Sequence, residues 1–375
     1  MKDLRNTRRQ HGAVDLDVHG IVGVRLVHAS AEDVSTVTWQ LGVREGTLER
    51  KPEILVEYAD SMRRSSRMRS IGLDDAGFDD EGFYVLRGRG RTRTATRIAF
   101  EHLGDQVKIV CESGSGAVPL LVPIVNLTAL AKGFVPVHAS AFSYNGTGVL
   151  VTGWTKGGKT ETLLGFMANG ATYIGDEWVY VRADRDEMYG LPQPITLWDW
   201  HLDDLPDFRA GLGWRGRSKL RTSSVVQAFE RRAPARVVGS STMTRVLGLT
   251  SRQLYVTVRP QALFGASSCA PAGNLDKVFF LVSHDAPEVT VEPVDPHEIA
   301  RRMLFSLRYE RLDLVSAYLK FRFAFPEASN DVLERADEIE RDALPQVLAD
   351  KKAYVVHHPF PAPIPALFDA IAPLL

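Results

Sequence analysis

The feature that most constrains the fold of this chain is a glycine-rich octapeptide that fits the pattern Gly-x-x-x-x-Gly-Lys-Ser/Thr at every required position. We call this segment the glycine loop; it consists of Gly153, Trp154, Thr155, Lys156, Gly157, Gly158, Lys159 and Thr160. An apolar, β-branched run, Gly148–Thr152, precedes it, and Glu161–Ala168 follows with apolar residues at helical spacing. The loop therefore joins a strand to a helix, which is typical of an α/β fold.

Each residue type in the glycine loop suits the binding of a triphosphate. Glycines let the backbone turn so that successive N–H groups can point at phosphate oxygens without obstruction by a Cβ. Lys159 would place a positive charge on the β and γ oxygens, and the Thr160 hydroxyl would bind Mg²⁺. The helix that follows the loop adds its positive N-terminal end. We also include Glu161, near the start of that helix, among the nucleotide contacts. The sequence predicts binding of ATP with Mg²⁺.

Two further features place acid–base chemistry near this loop. The short strand Ala171–Ile174 ends in Gly175 and the adjacent carboxylates of Asp176 and Glu177. Such a pair at a strand end next to a phosphate loop suits metal ligation and general-base work. Upstream, His138 ends the predicted strand 134–137, where it could hydrogen-bond a carboxylate and tune its basicity.

The order of His138, the glycine loop, Glu161 and the Asp176–Glu177 pair resembles the catalytic domain of HPr kinase/phosphorylase. The same P-loop fold occurs in nucleotide-dependent phosphoenolpyruvate carboxykinases. The resemblance covers residues 137–179 and implies a role for each side chain. Asp176 would be the general base, His138 its assistant, Lys159 the phosphate lysine, and Thr160 and Glu177 the metal ligands.

The chain also departs from that family. The family has an Asp-Asp pair where this sequence has Asp176-Glu177, and a small or acidic residue where it has Trp154. The family's downstream segment, which carries a metal-binding acid and recognises HPr, has no counterpart here. The N-terminal part does not resemble the family's N-terminal domain either. We therefore expect an acceptor hydroxyl other than that of HPr.

The length of 375 residues suits two domains. We predict a smaller N-terminal α+β domain, residues 1–115, for recognition of a substrate or partner, and a P-loop kinase domain, residues 116–375. In the first domain Ala31–Leu41 has helical spacing after the N-cap Ser30. In the second, a capping box with Asp295 and Glu298 starts one closing helix, and 331–349 forms the other.

Composition excludes several classes of function. The net charge of −1 gives no electrostatic case for nucleic acid or an anionic membrane. The two cysteines, Cys111 and Cys269, cannot build a disulfide framework, and no Cys/His cluster suggests zinc. The apolar stretch Val118–Ala131 is too short to span a membrane, and no secretory h-region follows the basic N-terminus. We expect a cytoplasmic protein, and the resembling family adds the expectation of a homo-oligomer.

Several cationic and aromatic segments leave alternatives open. The run Arg215–Arg221, which includes Arg217, would be a lid over ATP or an anionic acceptor, or else a solvated loop. Arg259, at the end of a predicted strand, is a candidate for stabilising charge on the transferred phosphoryl group. Five arginines in Arg87–Arg97 would form an exposed charged face or a docking surface for an acidic partner. The pattern also predicts a packing cluster of Trp198, Trp200 and His201.

Three functional hypotheses follow. The first is a kinase that transfers the γ-phosphoryl group of ATP to a serine-type hydroxyl of a peptide, protein or small molecule. The second is an ATPase in which Asp176-Glu177 activates water. The third is a non-catalytic ATP-binding protein that regulates a partner. A GTPase is disfavoured because the sequence has no Asn-Lys-x-Asp motif.

Overall fold

The computed structural model describes residues 12–62, 68–72, 75–87, 94–203, 205–211 and 255–375. Our predictions for Arg217 and for the Arg215–Arg221 loop lie outside these residues. So do Arg89, Arg91 and Arg93 of the arginine-rich segment Arg87–Arg97.

The first part of the chain forms one mixed sheet. Its strands are β1 (Val14–Val18), β2 (Val22–Val27), β3 (Glu45–Gly46), β4 (Ile54–Ala59), β5 (Arg69–Ile71), β6 (Ala76–Asp79), β7 (Gly82–Arg87), β8 (Thr94–Ile98) and β9 (Val107–Glu112). They lie in the order β3-β1-β2-β4-β9-β8-β7-β6-β5, with β4 parallel to β2 and to β9. The remaining pairs are antiparallel hairpins or meanders.

The crossover between β2 and β4 contains helix α1, Ala31–Leu41, with the bounds that the sequence predicts. Ser30 caps it by accepting a hydrogen bond from the Asp33 backbone N–H, and the Asp33 carboxylate closes a capping box. Gly42 ends it in the left-handed conformation, at φ 74°. A capped helix can therefore bury its apolar face against the parallel strands on one side.

The second part forms another mixed sheet and a small two-stranded antiparallel sheet. The strands of the larger sheet are β10 (Val135–Tyr144), β11 (Thr147–Gly153), β12 (Thr172–Gly175), β13 (Trp178–Arg182), β14 (Arg185–Gly190), β17 (Ala272–Asn274), β18 (Lys277–His284), β19 (Thr290–Pro293) and β20 (Lys352–Pro359), and the small sheet pairs β15 (Ile195–Trp198) with β16 (Tyr255–Val258). The sheet runs β17-β14-β13-β10-β11-β18-β20-β19, with β12 also on β10. Because β11, β18 and β20 are parallel neighbours, their carboxyl ends lie at one edge.

Helices cover this sheet. They are α2 (Leu121–Ala131), α3 (Lys159–Ala168), α4 (Pro206–Gly211), α5 (Pro260–Phe264), α6 (Pro296–Glu310), α7 (Leu312–Ala324), α8 (Asp331–Glu334), α9 (Ala336–Leu348) and α10 (Ile364–Ile371), with short 3₁₀ turns at Phe100–His102, Asp199–Leu202, Ala266–Ser268 and Ala372–Leu374. The glycine loop connects β11 to α3, as the pattern predicts.

Three details of the closing helices differ from the sequence prediction. Asp295 caps α6 through the His297 N–H at 2.9 Å, but the Glu298 carboxylate binds arginines of its own helix instead of completing a capping box. The predicted helix 331–349 is interrupted at Arg335, which separates α8 from α9. Helix α7 was not predicted, because its apolar residues show no clean helical period.

The two sheets share one hydrophobic core. Buried side chains of the first sheet, such as Leu16 and Val24, belong to the same cluster as Leu127 of α2, Val137 of β10 and Met303 of α6. The protein is thus a mixed α/β structure. The division at residues 115 and 116 stays a prediction. Within the described ranges, no helix has both the length and the apolar character to cross a bilayer.

Candidate active site

The conformation of the glycine loop requires its glycines. Gly158 has φ 92°, and a Cβ there would lie 3.1 Å from Nε2 of His358, a buried residue near the end of β20. A Cβ on Gly157 would lie 2.9 Å from the Trp154 carbonyl oxygen, and His358 Nε2 lies 3.0 Å from the Gly157 carbonyl oxygen. Strand β20 therefore packs against the glycine loop through His358 and fixes the path of the loop into α3.

Lys159, the first residue of α3, is almost fully buried beneath the loop. Its Nζ donates a hydrogen bond to the Trp154 carbonyl oxygen at 2.8 Å, which closes the loop on itself. Burial lowers the pKa of Lys159, and the charges of Glu177, Asp176, Glu310 and Glu161 oppose that shift. The ammonium group thus lies in a site already rich in carboxylates.

Asp176 and Thr160 form a hydrogen-bonded pair. The Thr160 hydroxyl donates to Asp176 Oδ2 at 3.1 Å, and Asp176 is 3% exposed. Burial, followed by the negative charge of Glu177, raises the pKa of Asp176 to about 7, although the Thr160 hydroxyl and Lys159 act in the opposite direction. The arrangement offers two hard oxygen donors side by side, which is the chemistry that Mg²⁺ prefers.

Glu177 lies in the turn between β12 and β13 with a backbone rarely used by residues other than glycine, at φ 71°. Its side chain is 49% exposed, and Oε2 lies 3.1 Å from Nε2 of His138. That contact with His138 lowers the pKa of Glu177, against the effect of burial. The turn therefore points the two adjacent carboxylates in different directions: Asp176 inward to Thr160, and Glu177 to His138 and the open cavity.

His138 is held between two glutamates. Nε2 faces Glu177, and Nδ1 lies 3.2 Å from Oε1 of Glu310, the last residue of α6. Burial disfavours the charged ring, but the two facing carboxylates outweigh burial, so the pKa of His138 is raised. The structure thus places His138 against Glu177, not against Asp176, which the resemblance had suggested.

Sequence analysis missed Glu310. The residue lies far from His138 along the chain, so no local motif connects them. One signal was present: Glu310 follows Met303 by seven positions and Leu307 by three, which puts an acidic side chain on the buried face of α6.

The glycine loop, the Thr160–Asp176 pair and the His138–Glu177 pair line one cavity of about 420 Å³. It is bounded by His138, Thr155, Lys156, Gly157, Gly158, Lys159, Thr160, Glu161, Asp176, Glu177, Thr196, Trp198, Trp200, His201 and Phe360. The two tryptophans therefore form part of the cavity wall and do not serve packing alone. Sequence spacing could not show this, because strand β15 and the 3₁₀ turn after it bring them to α3 through tertiary packing.

His201, in the 3₁₀ turn after β15, connects that turn to the helix after the glycine loop. Its Nδ1 accepts a hydrogen bond from the Trp198 N–H at 3.3 Å, and its Nε2 lies 3.1 Å from Oε1 of Glu161. Since Nδ1 is an acceptor, Nε2 carries the proton and donates to the carboxylate. Glu161 is thus engaged by His201 at the edge of the cavity.

Replacing His201 with leucine should destabilise the protein by about 1–3 kcal/mol, because the Glu161 carboxylate, 12% exposed, would lose its partner. Urea unfolding measures this change in the free energy of unfolding. His297→Leu, at the solvent-facing start of α6, should change it by less than about 0.5 kcal/mol. Equal effects of the two substitutions would argue against the His201–Glu161 link.

Two predicted contacts lie elsewhere. The Arg259 guanidinium stacks over the Trp39 ring of α1 at 5.4 Å and is not among the residues that line the cavity, and its role towards the phosphoryl group stays a prediction. Trp154 turns its ring, half exposed, away from the cavity and onto Tyr309 of α6, with centroids 5.0 Å apart. Only its carbonyl oxygen faces Lys159.

No group of three or more His, Cys, Asp or Glu side chains in the described part of the chain is arranged to hold a metal ion by itself. A cation at Thr160 and Asp176 would need further ligands from water or a bound phosphate. Mg²⁺ is commonly bound in this way, through one or two protein oxygens together with substrate phosphates.

No protein-family model and no curated protein matches the chain. Among solved structures, the chain is similar to the one titled "Structure of the Hpr(Ser) kinase/phosphatase from Coxiella burnetii", with 11% sequence identity and a TM-score of 0.21. The match covers 48% of this chain and 97% of that chain. At this TM-score the similarity supports no argument about fold or function.

Proposed function

We propose that the protein is an ATP-dependent kinase that transfers the γ-phosphoryl group to a serine-type hydroxyl of a peptide, protein or small molecule in the cytoplasm. The observation that carries the proposal is convergence on one cavity: the glycine loop, the Thr160–Asp176 pair and the Glu177–His138 pair all line it. Phosphoryl transfer depends mainly on positioning and charge neutralisation, and these groups supply both.

The fit to ATP rests on the loop and the helix that follows it. Backbone N–H groups of the glycine loop and the N-terminus of α3 suit the phosphates, and Lys159 can exchange its bond to the Trp154 carbonyl for a γ-phosphate oxygen. Thr160 and Asp176 would hold Mg²⁺, which neutralises phosphate charge when bound. The same loop fits the P-loop kinase type that the sequence resemblance implies.

The contacts favour roles for Asp176 and Glu177 that differ from the roles that the resemblance implies. Asp176 is buried against Thr160, so a metal-side role suits it better. Glu177 is half exposed and in the left-handed region, so it can reach an acceptor hydroxyl, and its lowered pKa keeps it ionised to accept the proton as the general base. We therefore assign proton removal to Glu177 and metal support to Asp176.

A water molecule could reach the half-exposed Glu177 as readily as a hydroxyl, which keeps an ATPase as the second candidate. Incubation with γ-labelled ATP separates the two. A kinase transfers label to an acceptor drawn from serine peptides, proteins and small alcohols, and releases little free phosphate without one. Phosphate release at the same rate without any acceptor would exclude the kinase.

Glu177→Gln should lower kcat by about 10²-fold, because the amide cannot accept the proton, while ATP affinity changes little.

Asp176→Asn should weaken Mg²⁺-dependent ATP binding, which isothermal calorimetry with and without Mg²⁺ measures. Glu187→Gln, on the exposed part of β14, is the matched control. If both site variants keep full biological activity and ATP binding, the protein is a non-catalytic ATP-binding regulator.

A further inference from the structure

We infer that Glu310 is a positioning residue for the phosphoryl-transfer site. Glu310 holds the His138 ring so that Nε2 faces Glu177. The kinetic part of this inference rests on the proposed kinase function, whereas the structural part does not. No motif connects Glu310 to the site, and the sequence resemblance assigns it no role.

The first support is geometric. His138 Nδ1 and Glu310 Oε1 face each other at 3.2 Å. Both atoms are buried. Among the described residues, neither makes an aligned hydrogen bond, whether to the facing atom of the pair or to any other atom. A buried polar atom without a partner is costly, so each atom has reason to engage the other. Catalytic hydrogen bonds are often poorly aligned in ligand-free structures and tighten when substrate binds.

The second support is the way in which α6 holds Glu310 in place. The next residue, Arg311, is buried and binds both Glu340 and Asp337 of α9. The preceding residue, Tyr309, contacts Trp154 of the glycine loop. Glu310 is therefore fixed on both sides, and the end of α6 connects the loop to His138.

A carboxylate facing each ring nitrogen fixes the orientation of a histidine, because both nitrogens then act as donors. With Nδ1–H directed to Glu310 and Nε2–H directed to Glu177, the ring cannot flip without breaking these contacts. The Trp178 ring, 5.6 Å away, packs beside the imidazole but offers it no such fixed direction. Glu310 thereby acts on Glu177 through His138.

The test compares Glu310→Gln and Glu310→Ala with Glu298→Gln, a control on the same helix that pairs with arginines away from the site. Both Glu310 variants should lower kcat by about 10–100-fold and leave the KM for ATP within about threefold. Glu310→Asp should recover part of the loss. In ¹⁵N-histidine NMR of the full chain, the chemical shift of His138 Nδ1 should change in the Glu310 variants only.

Three results would overturn the inference: wild-type kcat in both variants, His138 resonances identical to those of the wild type, or an equal loss in Glu298→Gln. If the alanine variant does not fold, the nearly isosteric glutamine variant decides. If the wild-type protein transfers no phosphate, the proposed kinase function fails, and the NMR comparison still tests whether Glu310 orients His138.

Discussion

Replacing Lys159 with alanine is expected to reduce phosphoryl transfer by about 10³-fold, because the substitution removes the buried cation that meets the β and γ oxygens of ATP. Among the described residues that line the cavity, the other lysine is Lys156, and its side chain is exposed. Initial rates with γ-labelled ATP measure the loss.

The loss should appear mainly in kcat, because the charge that Lys159 stabilises develops during transfer. Thermal unfolding should change little, since the loop keeps the hydrogen bond from the Gly157 N–H to the Trp154 carbonyl oxygen at 3.1 Å when the lysine is replaced. Lys108→Ala, which removes a half-exposed lysine in a surface ion pair with Glu57, is the control and should keep full activity. A Lys159→Ala protein with wild-type transfer would remove the glycine loop from the mechanism.

The parts of the candidate site that the sequence predicts are those encoded within short segments. The glycine loop needs a strand before it and a helix after it, and both can be predicted from local periodicity. The turn at Asp176 and Glu177 follows a short apolar strand, so its place could also be predicted. Which carboxylate meets which partner could not, because that depends on the left-handed backbone at Glu177 and on the packing of α6.

The same limit applies to the fold. Helix α1 was predicted with its correct bounds because a capping serine, an apolar face and a final glycine agree. Helix α7 was missed because apolar residues occur all around it, and Leu319 and Phe323 are exposed. Strand β20 was missed because its pairing with β18 joins distant segments, and local sequence does not record such contacts.

Arg311 is expected to be the side chain whose loss most strongly destabilises the closing helices. It lies at the junction of α6 and α7, is 11% exposed, and binds Asp337 at 2.7 Å as well as the Glu340 carboxylate, which is 1% exposed. Burial raises the pKa of Glu340, and the charge of Arg311 opposes that shift. Removing one partner of such a pair leaves the other as an uncompensated buried charge.

Arg311→Met should therefore lower the free energy of unfolding by about 3–5 kcal/mol at neutral pH, measured by urea denaturation. The pKa of Glu340 is already above its ordinary value in the folded state, and losing Arg311 raises it further. The folded variant then binds a proton more tightly than the unfolded chain, so its stability falls as pH rises above the unfolded pKa. The deficit should be smaller at acidic pH, where Glu340 is protonated.

The double variant Arg311→Met/Glu340→Leu separates the cost of the buried charge from the loss of packing. Replacing a buried ion pair by apolar side chains is often neutral or stabilising, so the double variant should recover most of the stability and lose the pH dependence. Arg308→Met, which breaks a mostly exposed pair with Asp337, should cost less than about 1 kcal/mol. If the double variant is as unstable as Arg311→Met, packing of the arginine stem, not its charge, holds α6 on α9.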